Sequence, residues 1–196
     1  MVGWTKYDTN GKAEAVKIPN EEILVFDVET CVQEGPWPIM ATALSPTAWY
    51  SWCSPYLIDI DLKPKDYSCL SCDDLIQLGH PLLVIGHNVS YDRARISEQY
   101  QLASSRTRFL DTMSLHIAVR GMTSSQRMFK ASEQAGNLEA YHPKWLKETS
   151  KNSLADVYKF YFGKSLDKAT RDVFVTEALP TVVEQFQGTW LMSSLA

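Results

Sequence analysis

The stretch Ile23-Leu24-Val25-Phe26-Asp27-Val28-Glu29-Thr30 decides the fold of this chain. It is an apolar run rich in β-branched residues, which is typical of a buried strand, and it contains two carboxylates two positions apart. Because successive side chains on a strand point to opposite faces, Asp27 and Glu29 share one face. Phe26 and Val28 share the other face and can anchor the strand in a core.

The paired carboxylates also indicate chemistry. Asp27 and Glu29 on a rigid strand repel each other unless a positive charge lies between them. A hard divalent cation usually meets this need, because Mg²⁺ and Mn²⁺ prefer oxygen ligands. The alternative, for so short a pattern, is a strand end whose two acidic side chains point into water.

Size and composition fit one folded domain. The chain has 196 residues, of which 45% are hydrophobic and 11% aromatic, values typical of a globular protein. Its formal net charge of -4 argues against binding nucleic acid by bulk positive charge, but allows an enzyme that uses a local groove and a metal. We expect no secretory signal, and we expect no membrane partner, because no apolar run is long enough to span a bilayer.

The four cysteines are expected to be reduced thiols. Cys69 and Cys72 form a single C-x-x-C, which could be half of a zinc site or a redox pair. No second pair of cysteines or histidines at metal-ligand spacing completes it, so an ordinary loop is the favoured interpretation.

Periodicity and turn residues predict a mixed sheet flanked by helices, an α/β fold. Residues 1–22 are polar and are expected to be an irregular extension with a turn at Asn10-Gly11. Strands are predicted over 23–28, 39–44, 48–52, 81–86 and 108–111. Helices are predicted over 73–78, 90–102, 112–119, 123–135, 154–162 and 170–187.

A second motif, Gly86-His87-Asn88-Val89-Ser90-Tyr91-Asp92, follows the apolar strand predicted to be central. Ligands in open α/β sheets collect at the carboxyl ends of such strands. Gly86 allows close backbone approach, Asn88 can donate and accept hydrogen bonds, and Asp92 falls in a first helical turn. The alternative is an ordinary loop followed by a first-turn acid.

Together, Asp-x-Glu at a strand end and the later G-H-N-x-x-Y-D resemble the DnaQ-like 3′–5′ exonucleases, which have an RNase H-like fold. The resemblance implies that Asp27, Glu29 and Asp92 are the catalytic metal ligands. It also implies two divalent ions, Mg²⁺ or Mn²⁺, that activate a water and stabilise the leaving oxygen of a 3′-terminal phosphodiester. Thr30, Asn88 and Tyr91 would then be substrate-binding residues near the 3′ end.

Longer runs narrow the resemblance to the mitochondrial DNA polymerase gamma family of family A polymerases. They include Ser45-Pro46-Thr47-Ala48-Trp49-Tyr50-Ser51-Trp52-Cys53 and Arg108-Phe109-Leu110-Asp111-Thr112-Met113-Ser114. The similarity implies that residues 23–187 are a proofreading domain acting on a DNA primer 3′ end in mitochondria. In the family it works beside a polymerase domain and a processivity accessory subunit, so polymerisation is implied only for the parent enzyme.

The chain departs from this family near its end. The family's fourth carboxylate comes from a late Tyr-x-x-x-Asp motif, and no Tyr-x-x-x-Asp occurs in the sequence. We therefore expect residues 188–196 to be a divergent tail of a truncated or alternatively spliced product with little or no activity alone. The alternative function is a catalytically inactive RNase H-like module that binds DNA or a partner.

Other residues have two interpretations each. Asp111 is either a helix N-cap or a residue that positions active-site backbone, and His116 is expected in the core of an apolar helix. Four arginines near the second motif either follow DNA phosphates or lie on a solvated face: Arg93, Arg95, Arg106 and Arg108. The aromatic residues expected in the strand core are Trp49, Tyr50 and Trp52.

Overall fold

The computed structural model describes residues 1–31, 35–62, 72–79, 81–101, 105–134 and 149–166. Cys69, the helices predicted over 170–187 and the tail 188–196 lie outside the described residues. The described chain forms two compact units, one within 1–110 and the other within 111–167.

The first unit is built on a seven-stranded mixed sheet. Its strands are β1 (Gly3–Tyr7), β2 (Ala13–Val16), β3 (Ile23–Thr30), β4 (Pro38–Leu44), β5 (Trp49–Cys53), β6 (Leu83–Gly86) and β7 (Arg108–Asp111). Their order across the sheet is β2-β1-β5-β4-β3-β6-β7. β3 pairs antiparallel with β4 and parallel with β6, which confirms the predicted mixed α/β sheet.

Helical elements are short in the first unit and longer in the second. The α-helices are α1 (Ser90–Arg93), α2 (Thr112–Val119), α3 (Ser124–Gln134) and α4 (Leu154–Phe162). The 3-10 turns are Pro55–Leu57, Ile60–Leu62, Cys72–Asp74 and Ser97–Tyr100. No helix in the described ranges is both long and apolar enough to cross a membrane.

One face of β3 forms the centre of the hydrophobic core. Leu24, Phe26 and Val28 are buried, as the alternation predicts, and their side chains join one cluster with residues of the neighbouring strands and loops. The other cluster members are Trp4, Ala41, Ala43, Ala48, Tyr50, Ile76, Leu78, Val84 and Ile96. Ile23 and Val25 point to the opposite face and are largely exposed, so β3 is anchored from one side.

The prediction that residues 1–22 are irregular is wrong, because β1 and β2 form a hairpin at one edge of the sheet. The carboxylate of Asp8 accepts the backbone N–H groups of Asn10 and Lys12 and so stabilises the predicted turn. Trp4 is buried, and its indole N–H donates to the carbonyl of Gln77 at 2.9 Å. The hairpin escaped prediction because β2 is almost entirely exposed and lacks an apolar face.

Two predicted helices are also wrong over most of their length. The helix predicted over 90–102 is one turn of α1 followed by a 3-10 turn, and the one predicted over 73–78 is a 3-10 turn at Cys72–Asp74. Backbone hydrogen bonds join the two segments, since the Ile76 N–H donates to Arg95 O and the Ile76 carbonyl accepts from Ser97 N–H. This tertiary pairing, with Ile76 and Ile96 fully buried, overrides local helix propensity.

The strand aromatics divide between the two faces of the sheet. Tyr50 is buried and Trp52 packs partly against the core, as predicted. Trp49 is 55% exposed, so its placement in the core is wrong. The strands predicted over 39–44 and 48–52 are otherwise confirmed as β4 and β5, and Cys53 and Cys72 are free thiols.

The second unit confirms its predicted helix ends. Asp111 caps α2, since its carboxylate accepts from Met113 N–H at 3.0 Å. Ser153 caps α4, and Gly163 ends that helix in the left-handed conformation at φ 68°. His116 is buried, as expected.

We predict that Phe26→Ala lowers the free energy of unfolding by about 3–5 kcal/mol, because the ring is fully buried beneath the sheet and its removal leaves a cavity. Val25→Ala, at the preceding residue, is the matched control. Val25 is 47% exposed, so its truncation is expected to cost less than about 1 kcal/mol. Urea unfolding of the two variants checks this, and equal losses would contradict the assignment of the buried face.

Candidate active site

The sheet holds the two carboxylates of β3 on its less covered face. Asp27 lies opposite Thr42, and Glu29 lies opposite Met40 on the antiparallel neighbour. Asp27 is exposed and Glu29 half-buried. The structure thus confirms that the two side chains leave the same face, two residues apart on a strand anchored by the core.

Asp92 reaches the same strand from α1. The parallel pairing of β3 with β6 runs only as far as Val25 and Ile85, so the N–H of Val28 lies beyond the last paired residues. The carboxylate of Asp92 accepts that N–H at 3.1 Å. The side chain is 3% exposed, and it replaces the carbonyl that a longer β6 would supply.

The surroundings of Asp92 disfavour its charge. Burial raises the pKa of this carboxyl to about 7, and the negative charge of Asp27 acts in the same direction. The Val28 N–H and the Arg95 guanidinium oppose the rise. Desolvation and a neighbouring like charge both favour the protonated form of a carboxylic acid, so Asp27 and Asp92 form an electrostatically coupled pair.

The turn between β6 and α1 explains how Asp92 arrives there. A Cβ at Gly86 would lie 2.9 Å from the side chain of Val89 and 3.4 Å from the carbonyl of Phe26, which confirms the predicted close approach. Asn88 is left-handed at φ 64°, a conformation that asparagine tolerates better than most residues. Its carbonyl accepts from Tyr91 N–H at 3.1 Å and so closes the turn.

Tyr91 and Thr30 meet beside the carboxylates. Their hydroxyl groups form a hydrogen bond, which links α1 to the end of β3. Thr30 is buried and the Tyr91 ring is partly exposed. Two predicted substrate-binding residues are therefore in direct contact, at the end of the strand that carries Asp27.

Arg95 supports this arrangement, a role that the sequence analysis did not assign to it. Its guanidinium carbon lies 3.8 Å from the centre of the Tyr91 ring. It also donates to the carbonyls of Tyr91 at 2.7 Å and of Pro36 at 3.1 Å. The sequence signal that could have indicated this contact is the four-residue spacing of Tyr91 and Arg95. Arg93 instead stacks on Phe109.

The donor set suits a hard divalent cation. Asp27 and Asp92 offer carboxylate oxygens whose mutual repulsion a cation would relieve. Among the described residues, no group of three or more His, Cys, Asp or Glu side chains is arranged to hold one metal ion. The structure thus places Asp27 and Asp92 within electrostatic reach of each other, while the metal-ligand roles of Asp27, Glu29 and Asp92 stay predictions.

Comparison with known proteins identifies the relatives of this chain. A family model described as the DNA mitochondrial polymerase exonuclease domain matches residues 1–194. The chain is 44% identical to the mitochondrial DNA polymerase subunit gamma-1 of Drosophila melanogaster, with 95% of this chain and 17% of the relative aligned. It is 41% identical to DNA polymerase gamma of Saccharomyces cerevisiae, over 94% of this chain and 15% of the relative. The chain therefore spans less than a fifth of either relative.

We predict that the metal-free fold loses stability as the pH rises from about 4 to about 7. The folded chain retains the Asp92 proton until its raised pKa of about 7, whereas the unfolded chain releases it near 4, so the folded state binds more protons between these values. Over this range the free energy of unfolding should fall by about 1 kcal/mol per pH unit.

Urea unfolding in the presence of a chelator, at several pH values, measures this contribution as the difference between wild type and Asp92→Asn. The asparagine oxygen can still accept the Val28 N–H, but it does not titrate. Asp61→Asn, in an exposed turn, is the matched control and should keep the wild-type slope. If plots of the free energy of unfolding against pH run parallel for wild type and Asp92→Asn, the prediction is contradicted.

Proposed function

The chain belongs to the DNA mitochondrial polymerase exonuclease domain family, and from that membership we propose that it hydrolyses 3′-terminal phosphodiesters of DNA as a proofreading 3′–5′ exonuclease. The observation that carries the proposal is the approach of buried Asp92 to Val28, next to Asp27. Clustered carboxylates at a strand end are what metal-assisted phosphodiester hydrolysis requires.

Asp27, Glu29 and Asp92 are the residues proposed to hold the divalent ions, Mg²⁺ or Mn²⁺ and two in number by family resemblance. When bound, the ions supply positive charge that activates a water and stabilises the leaving oxygen. The chain's own contribution is to fix the ligands. Asp27 and Glu29 are fixed by the anchored strand, and Asp92 is fixed by the Val28 N–H.

Tyr91, Thr30 and Asn88 are proposed to position the terminal nucleotide. The Tyr91 hydroxyl is held by Thr30, and its ring is held by the Arg95 guanidinium. A partly exposed ring fixed from two sides is suited to contact a nucleotide, because little side-chain freedom remains to be lost on binding. The left-handed turn at Asn88 sets the start of α1, from which Tyr91 and Asp92 project.

The wider setting is proposed from the relatives, which are far longer than this chain and are named as mitochondrial DNA polymerases. We propose that residues 23–187 correspond to the exonuclease domain and that its partner is a DNA primer 3′ end. In a whole protein of this family, a polymerase domain and a processivity accessory subunit would act with it in mitochondria.

We predict that the purified chain shortens a 3′-mismatched DNA primer in the presence of Mg²⁺ or Mn²⁺ at the low rate expected without a Tyr-x-x-x-Asp carboxylate, and that Asp27→Ala lowers this rate further by about 10²- to 10³-fold. Loss of one preorganised electrostatic group typically has an effect of that size. Denaturing electrophoresis of an end-labelled primer measures the rate. Asp27 is exposed, so its truncation is not expected to unfold the chain.

Asp61→Ala, which removes an exposed carboxylate elsewhere, is the matched control and should act as wild type does. Shortening that survives Asp27→Ala would contradict the assigned site. Metal-dependent primer binding by a folded sample without any shortening would contradict the exonuclease proposal and favour a non-catalytic DNA-binding module.

A further inference from the structure

The second unit contains an open cavity of about 320 Å³ that the exonuclease chemistry does not use. Three lysines line it, Lys130 from α3, Lys151 from the segment before α4 and Lys159 from α4 itself. Thr149, Ser150 and Phe160 also contribute to its wall. We call it the lysine cavity.

Positive charge dominates the lysine cavity, although the whole chain carries a formal net charge of -4. Among the described residues that line it, the one carboxylate is Asp156, which forms a hydrogen bond with the Ser153 hydroxyl at the start of α4. Within the described ranges, the single ion pair is Lys6 with Glu21, so none of the three cavity lysines is neutralised there. A cavity lined by three lysines and one described carboxylate favours an anion.

The segment between Thr149 and Asn152 is held in place behind this charge. Ser150 N–H donates to Arg120 O at 3.1 Å, and the amide oxygen of buried Asn152 accepts from Met122 N–H. The cavity wall that carries Lys151 is therefore preorganised by backbone contacts within the same unit.

Buried His116 fixes the Ser150 hydroxyl. This hydroxyl has one proton, which it donates to Lys151 O at 3.0 Å. We therefore assign the 2.9 Å contact to His116 Nε2–H donating to Ser150 Oγ, with Nδ1 accepting from the Tyr161 hydroxyl at 3.3 Å. These hydrogen bonds join α2, α4 and the segment at Ser150.

An aromatic ring stands beside the lysines. Phe160 is 37% exposed and lines the cavity, and the next two residues, Tyr161 and Phe162, are more exposed still. Lysines that bind phosphates, next to rings on which bases stack, are the combination used to bind single-stranded nucleic acid. A free inorganic anion would use the lysines but not the ring.

We propose that the lysine cavity binds a phosphate group of single-stranded DNA, with a neighbouring base against Phe160. The proposal rests on the proposed function only for the choice of DNA as the source of the phosphate. It adds a contact, built within the second unit, that is separate from the carboxylate site of the first.

The test is binding of a fluorescent single-stranded oligonucleotide to the full chain in a chelator, where hydrolysis cannot occur, at several salt concentrations. The variant is Lys130→Gln/Lys151→Gln/Lys159→Gln. The matched control is Lys12→Gln/Lys17→Gln/Lys164→Gln, which removes the same charge from exposed positions outside the cavity. Phe160→Leu tests stacking, and thermal unfolding verifies that each variant is folded.

We expect the cavity variant to bind about tenfold or more weakly at low salt. The slope of log affinity against log salt should fall in magnitude by about 0.7, since the cavity binds one phosphate and each phosphate contact with a single strand contributes about 0.7. Phe160→Leu should weaken binding with the salt slope unchanged. Equal losses in the two triple variants would show a bulk charge effect and overturn the proposal, as would inorganic phosphate at equal phosphate concentration displacing the oligonucleotide completely.

The exonuclease proposal and the lysine-cavity proposal can be rejected independently of each other. Asp27→Asn should lower the rate of primer shortening by about 10²- to 10³-fold, but it should leave oligonucleotide binding at the lysine cavity, measured in the chelator, intact. Absence of shortening by wild type, together with weakened binding in the cavity variant, would reject the exonuclease and keep the cavity. Unchanged binding in the cavity variant would reject the cavity, whatever the shortening assay shows.

Discussion

The hydrogen bond from the Val28 N–H to the Asp92 carboxylate is the contact on which the candidate active site depends. It exists because the pairing of β6 with β3 ends at Val25, leaving a backbone donor beyond the last pair. A buried N–H without an acceptor is costly. Asp92 meets that need with a side chain and thereby brings a second acid close to Asp27.

Burial of the Asp92 carboxyl beside Asp27 lowers the stability of the fold but provides the acid that the chemistry needs. A buried carboxylic acid beside Asp27 resists ionisation, which is why its pKa rises to about 7. Arg95 offsets part of the cost, while its stacking on Tyr91 fixes a neighbouring ring. A site that would be more stable with an amide at position 92 is typical of functional positions, where local preference gives way to chemistry.

The sequence specified β3 and the face on which Asp27 lies, because burial and side-chain alternation are properties of consecutive residues. It also specified the caps at Ser153 and Gly163, which depend on local bonding. It did not reveal the hairpin of β1 and β2 or the break after α1, because both depend on partners distant in the chain. Trp4 bonds to Gln77, and Ile76 pairs with Ile96. The four-residue spacing of Tyr91 and Arg95 is visible in the sequence, but the hydrogen bond from Arg95 to the Pro36 carbonyl depends on the fold.

Calorimetric titration of Mn²⁺ into the chain, in buffers of different ionisation enthalpy, tests most directly whether Asp92 and Asp27 form a coupled site for a cation. A ligand carboxylate must lose its proton when a metal binds. With a pKa of about 7 for Asp92, the account predicts release of most of one proton at pH 6 and of little at pH 8. In Asp92→Asn this release should disappear. Metal binding at pH 6 with no proton released would contradict the account.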